Sequence, residues 1–135
     1  MYSYSFPVRY YEADPMGIVH HSEYVRYFEC CRNNWLDDCG YGVAECAADN
    51  IVFPVAKLDM RYKYSARFGD VVTVTTEIEE FTGARITMHQ QVLNAEGKLC
   101  VDGHITLGFM NSKTGMVMRC PEKLAAIIEK ELNKQ

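Results

Sequence analysis

The 135-residue chain has no excess of basic residues, no long apolar run and no paired-cysteine motif, and each absence removes a class of protein. Lysine and arginine number 14 against 18 aspartates and glutamates, for a net charge of −4. Non-specific nucleic-acid binding rests on a basic stripe that neutralises phosphates, so no nucleic-acid partner is expected. An anionic ligand must be met by local groups, against an unfavourable overall field. No stretch approaches the roughly 18–20 consecutive apolar residues that cross a bilayer, and no membrane span is expected. Residues Met1 to Asp14 lack the basic start and apolar run of a secretory signal, which points to a cytoplasmic location. The six cysteines, Cys30, Cys31, Cys39, Cys46, Cys100 and Cys120, include no C-x-x-C pair. They read as reduced, partly buried thiols, not as a disulfide framework or zinc ligands. Linkers, repeats and low-complexity segments are missing as well, so residues 1–135 read as a single domain. A chain of this size buries about two-thirds of its unfolded surface and needs no cross-link to hold a core.

What is present is periodicity. Tyr2, Tyr4, Phe6, Val8 and Tyr10 alternate with Ser3, Ser5, Arg9 and Tyr11, the signature of a strand with one buried face. From about Ser22 to Cys39 the period changes. Tyr24, Phe28, Cys31, Trp35 and Cys39 recur at spacings of three and four, with Ser22 placed as N-cap and Gly40 as the terminating residue. Period-two runs return around Leu58–Tyr64, Val72–Ile78, Ile86–Val92 and Leu99–Phe109, separated by turn residues. Joined in order by short turns, these strands read as an antiparallel meander. A short strand near Met116–Met118 and a terminal helix starting at Pro121 complete the expectation. A helix this apolar beside such a meander is buried only if the sheet curls around it, so the class is α+β, of hotdog-like element order.

The chemistry concentrates in Asp14-Pro15-Met16-Gly17-Ile18-Val19-His20-His21-Ser22-Glu23-Tyr24. A carboxylate on a tight turn lies about eight residues before a helix N-terminus, where free N–H groups favour developing negative charge. A thioester or ester carbonyl placed there has its oxyanion stabilised, while Asp14 attacks the carbon or activates a water. Asp-Pro turns before helices are also common without any catalytic role.

This run resembles the signature of the 4-hydroxybenzoyl-CoA thioesterase family, especially its YbgC-type acyl-CoA thioesterase branch. Asp14, Gly17, Val19, His21 and Tyr24 occupy the positions of that family's turn and helix start, and Ala66-Arg67-Phe68-Gly69-Asp70 resembles its turn between the second and third strands. The resemblance implies a hotdog fold, a curled antiparallel sheet around one long central helix with a short C-terminal helix. It implies hydrolysis of an acyl-coenzyme A by Asp14, as nucleophile or general base, with the His21 backbone N–H polarising the carbonyl. Gly17 lets the backbone approach the acyl group. Coenzyme A is part of the substrate, so no separate cofactor and no metal are expected. The family's sites lie at subunit interfaces, which implies a homodimer or homotetramer.

The chain departs from the branch at Glu23, where an asparagine is usual. Glu23 either holds a water in the site or serves the helix dipole alone. Tyr24 is expected in the core first and against substrate second. Lys63, Arg67 and Arg85 are the candidates for the coenzyme's phosphates, each explained more simply, taken singly, as a solvated sheet-edge residue. Adjacent His20 and His21 diverge and lack a third ligand at helical spacing, while His89 and His104 are expected on a polar sheet face. Two other classes stay open. One is a hotdog hydratase or dehydratase acting through His21 and Glu23. The other is an acyl-thioester-binding module without turnover.

Overall fold

Valine, isoleucine and threonine at every second position build the sheet, because their branched side chains pack on a pleated surface that is covered on one side only. In the computed structural model, which describes residues 1–135, five strands form one antiparallel sheet. They are β1 (Tyr2–Pro7), β3 (Val55–Tyr62), β4 (Val71–Phe81), β5 (Arg85–Leu93) and β6 (Leu99–Gly108). Two-residue strands β2 (Ile51–Val52) and β7 (Met110–Asn111) pair separately. The helices are α1 (Glu23–Asp38), α2 (Val43–Ala48) and α3 (Glu122–Lys134). Helix α1 buries Tyr24, Tyr27, Phe28, Cys31, Arg32 and Trp35, so the expected apolar stripe is the one that faces the sheet. Cys39 falls just past its end and is exposed. Gly40, at φ +82°, turns the chain out of the helix in the left-handed conformation expected there. The sheet makes room for α1 at Gly103, where a Cβ would come within 2.7 Å of the Phe28 ring. The result is the α+β hotdog arrangement.

One expectation about strand order is corrected. Strands β4, β5 and β6 are a meander, but β3 does not lie beside β4; the order is β1-β4-β5-β6-β3. Alternation identifies a strand's buried face and carries no information about its neighbour. Residues 63–70 therefore form a crossover, not a hairpin turn. The Lys63 N–H donates to the Cys100 carbonyl at 2.8 Å, Ala66 N–H to the Tyr24 hydroxyl at 3.1 Å and Phe68 N–H to the Gly17 carbonyl at 3.0 Å. This path passes directly beneath the start of α1.

Smaller corrections have local causes. The first strand ends at Pro7, and Tyr10, expected on its buried face, opens a single 3-10 turn and is exposed. Met116–Met118 is not a strand: only one bridge, Met110 to Val117, forms there, and Met116 and Val117 project into solvent. Pro121 is the N-cap of α3, one position before the expected first helical residue. Helix α2 has no fully buried residue and β2 is two residues long, so neither leaves a readable period. Leu124 and Ile128 of α3 are buried in the second half of the core.

Candidate active site

The Asp14 segment is held by its own backbone. The Asp14 N–H donates to the Ile18 carbonyl at 2.8 Å, the Gly17 N–H donates back to the Asp14 carbonyl at 2.9 Å, and Gly17 sits at φ +81°. Only glycine adopts that left-handed conformation without strain. Oδ1 of Asp14 accepts the Met16 N–H at 2.8 Å, an Asx turn that fixes the carboxylate's direction. Its Oδ2 has no protein partner.

Both strands of the turn are clamped from below. The His20 N–H donates to the Glu12 carbonyl at 3.0 Å and the Val19 N–H to the Ala66 carbonyl at 2.8 Å. Glu12 itself is buried, and its carboxylate accepts the Tyr27 hydroxyl at 3.0 Å and the Arg9 N–H at 2.8 Å. Glu12 escaped the sequence reading because a carboxylate just past an alternating apolar run looks like the solvated end of a strand. The local signal was its i,i+3 spacing from Arg9, whose N–H and guanidinium it binds.

Helix α1 opens toward the same place. Ser22 stands at the N-cap position, but its hydroxyl is bonded to His20 Nδ1 at 2.8 Å and caps no helical N–H. The His21 backbone N–H makes no hydrogen bond to the protein. The His21 ring packs edge-on against Tyr62, with centroids 6.3 Å apart, and the Tyr62 hydroxyl reaches the His21 carbonyl at 3.4 Å. Burial raises the pKa of Tyr24, whose hydroxyl remains protonated and accepts the Ala66 N–H.

These groups surround a cavity of about 320 Å³ lined by Asp14, Ile18, Val19, His20, His21, Tyr24, Tyr62, Lys63, Tyr64 and Ser65. Four of the residues singled out from sequence, Asp14, His21, Tyr24 and Lys63, are thus brought together. Gly17 shapes the turn without lining the cavity. Glu23 is half-buried in the first turn of α1 and has no side-chain partner. Arg67 is exposed on the crossover, with its backbone bridged to Ile18. Arg85 is a different case. It begins β5, paired with Gly108, at the end of the sheet far from the Asp14 turn. The eleven residues of β4 separate the two ends by about 30 Å, so Arg85 does not belong to the cavity of its own chain. Tyr62, Tyr64 and Ser65 were missed because the alternation assigned the two tyrosines to a buried strand face, whereas both are half-exposed at the cavity mouth. A larger cavity, about 800 Å³, lies along the C-terminal half of α1 between Arg32, Trp35, Met88 and Phe109. It contains none of the predicted site residues.

A carboxylate with one free oxygen, an unpartnered backbone N–H at a helix start and a cavity between them define a hotdog protein equipped for attack on an acyl carbonyl. The chain belongs to the thioesterase-like superfamily, whose sequence model matches residues 8–128. It is 31% identical over 104 residues to the acyl-CoA thioester hydrolase YbgC of Escherichia coli O6:H1, covering 76% of this chain and 78% of that protein. Among solved structures, the hypothetical protein TT1821 of Thermus thermophilus superposes with a TM-score of 0.89 at 30% identity, over 97% of this chain and 99% of that one. The hypothetical protein SAV2348 of Staphylococcus aureus, solved in complex with CoA, shares the fold with a TM-score of 0.92 at 19% identity, over 99% and 85% of the chains. No helix of this chain is long and apolar enough to cross a membrane.

Proposed function

We propose that the protein hydrolyses acyl-CoA thioesters to a free carboxylic acid and coenzyme A, with Asp14 as the attacking or water-activating carboxylate. The observation that carries this reading is the meeting of Asp14 and the unpartnered His21 N–H in one cavity. A thioester carbonyl oxygen placed on that N–H gains negative charge as the tetrahedral intermediate forms, at the end of α1 where the dipole is positive. The carbon then faces Asp14. As nucleophile, Asp14 forms a mixed anhydride and expels the CoA thiolate, and water cleaves the anhydride. As general base, it takes a proton from the attacking water and leaves no covalent intermediate. The Asx turn supports either course by presenting one carboxylate oxygen and anchoring the other. YbgC is named for this hydrolysis, which supports carrying the activity to a relative 31% identical to it. Coenzyme A enters as part of the substrate, and no resident cofactor or metal is invoked for the reaction.

Lys63 lines the cavity and is the nearest candidate for a coenzyme phosphate, with Arg67 beside it on the crossover. The reading extends to a homodimer or homotetramer in the cytoplasm. Strand β3 is an open sheet edge of eight residues with Val55 and Tyr62 exposed, and such an edge favours pairing with a second copy. Antiparallel pairing there sets the Val55 end of one copy beside the Tyr62 end, and so the cavity, of the other.

A hydratase reading finds less support. His21 and Glu23 make no hydrogen bond to each other, and the His21 ring is packed between His20 and Tyr62.

Release of free CoA thiol from a panel of aliphatic and aromatic acyl-CoAs tests the proposal. Asp14→Asn is expected to lower kcat/KM by about 10²–10⁴-fold on whichever acyl group turns over. Equal rates for the two proteins across the whole panel defeat it.

A further inference from the structure

The face of the sheet turned away from α1 carries a second chemical cluster. On β5, Ile86, Met88, Gln90 and Val92 point to the core, so Thr87, His89 and Gln91 point outward. On β6, Asp102, His104 and Thr106 do the same. His89 and His104 are direct cross-strand partners, and one row continues through them from Glu77 on β4 to Asp59 on β3. The two imidazoles stack with centroids 4.6 Å apart. His89 Nε2 lies 2.6 Å from Asp102 Oδ1, and His104 Nδ1 lies 2.7 Å from Glu79 Oε1.

We propose that His89, His104 and Asp102 bind a divalent transition-metal ion, zinc in the first instance, on this outer face. One ligand atom from each of the three lies within 4.8 Å of the other two. Tetrahedral zinc, with bonds of about 2.0–2.2 Å, needs its donors about 3.3–3.5 Å apart. Side-chain rotation closes that gap: the His89 and Asp102 side chains are 29% and 22% exposed and His104 is 40% exposed, so none is wedged in the core. The ion enters between His89 Nε2 and Asp102 Oδ1, whose 2.6 Å separation widens to admit it, and the His104 ring turns toward the same point. Glu79 is placed to hold the outer nitrogen of His104 or to enter as a fourth ligand.

The donor chemistry selects the metal. Two imidazoles and a carboxylate suit zinc and its cobalt, nickel and copper neighbours, whereas calcium and magnesium take oxygen donors. The local field agrees, since Glu77, Glu79, Asp59 and Asp102 share this face with Lys57, Arg61 and, at the far end of β5, Arg85 against them. The spacing of His20 and His21 offers no third ligand, whereas the fold gathers these three from two strands. The site lies across the sheet from the Asp14 cavity and is independent of the proposed hydrolysis. Its consequence is a clamp between β5 and β6.

Metal-stripped full-length protein is titrated with Zn²⁺ by calorimetry and with Co²⁺ by visible absorption. One ion per chain is expected, with a rise in Tm on binding. His89→Gln and His104→Gln each weaken binding by at least about tenfold, and the double variant abolishes it. Replacing the exposed thiols, in Cys30→Ser/Cys39→Ser, leaves it unchanged. Absence of binding at millimolar Zn²⁺, survival in the double histidine variant, or loss with the thiols overturns the site. If the histidine variants fold poorly, Co²⁺ broadening of the His89 and His104 ring signals in the wild-type NMR spectrum decides the matter, because broadening confined to His20 and His21 also overturns it.

Discussion

The Tyr27 hydroxyl donates to Glu12 Oε1 at 3.0 Å, and both residues are buried. Burial and the neighbouring carboxylate raise the tyrosine's pKa, so the phenol stays a donor throughout the accessible pH range. Glu12 lies two residues before Asp14, and its carbonyl holds the returning strand at His20. The contact therefore ties the second turn of α1 to the base of the Asp14 turn. Tyr27→Phe leaves the buried carboxylate with only its Arg9 contacts, which costs about 1–3 kcal/mol of stability. The same change is expected to lower kcat more than it alters KM, because it loosens Asp14 without touching substrate. Urea unfolding and steady-state kinetics on one preparation measure both effects.

Gly17→Ala isolates backbone strain from packing. No atom lies within 4 Å of the Cβ it adds, so the penalty comes from the left-handed φ of +81° and amounts to about 1–2 kcal/mol. Gly115, at φ +72° in a turn beyond β7 with equally open surroundings, is the matched control. Both substitutions are expected to lower Tm similarly, whereas only Gly17→Ala lowers kcat/KM. A parallel fall in activity for Gly115→Ala shows that the effect is general destabilisation.

The long elements were readable because burial imposes a period over many residues. Helix α1 and strands β4 to β6 each expose the same face for nine or more residues, and composition follows. The Asp14 turn was readable because its chemistry is local: carboxylate, glycine and helix start fall within one short run. Pairing was not. The far-edge position of β3 depends on a crossover whose hydrogen bonds run to Gly17, Tyr24 and Cys100, residues up to about fifty positions away. The misplacement of Arg85 has the same origin, since a cation beside a turn carries no mark of which end of the sheet that turn occupies. The histidine cluster exists only because His89 and His104 meet in register. Glu12 illustrates the remaining gap, a charge buried by tertiary partners that its own neighbourhood does not announce.

Gly103→Ala is expected to destabilise through contact alone. The added Cβ meets Phe28 Cε2 at 2.7 Å and the Asp59 carbonyl oxygen at 2.9 Å, so both the central helix and the neighbouring strand must give way. Overpacking of this kind costs about 1–3 kcal/mol. Because Phe28 lies one turn beyond Tyr24, a shift of α1 also displaces the cavity wall. A double variant with Phe28→Leu removes the nearer ring atom and is expected to recover part of the loss, measured by thermal unfolding of the two single variants and the double.

Alkaline pH is expected to weaken the fold through Cys31. Its thiol is fully buried, donates to the Val74 carbonyl at 3.4 Å and accepts the Thr76 hydroxyl at 3.2 Å, and burial pushes its pKa up to about 11. In the unfolded chain the thiol ionises near ~8.5. The folded state thus keeps a proton that the unfolded state has already released. The stability this represents is complete below about pH 8.5 and is lost as pH rises toward the folded value near 11. Cys100, pushed up to about 11 by its own burial, adds to the same limb. Cys31→Ser preserves a donor and an acceptor but has no thiol to ionise, so its Tm should fall less steeply than wild type between pH 8.5 and 11. Identical slopes for the two proteins would assign the alkaline loss to groups other than Cys31.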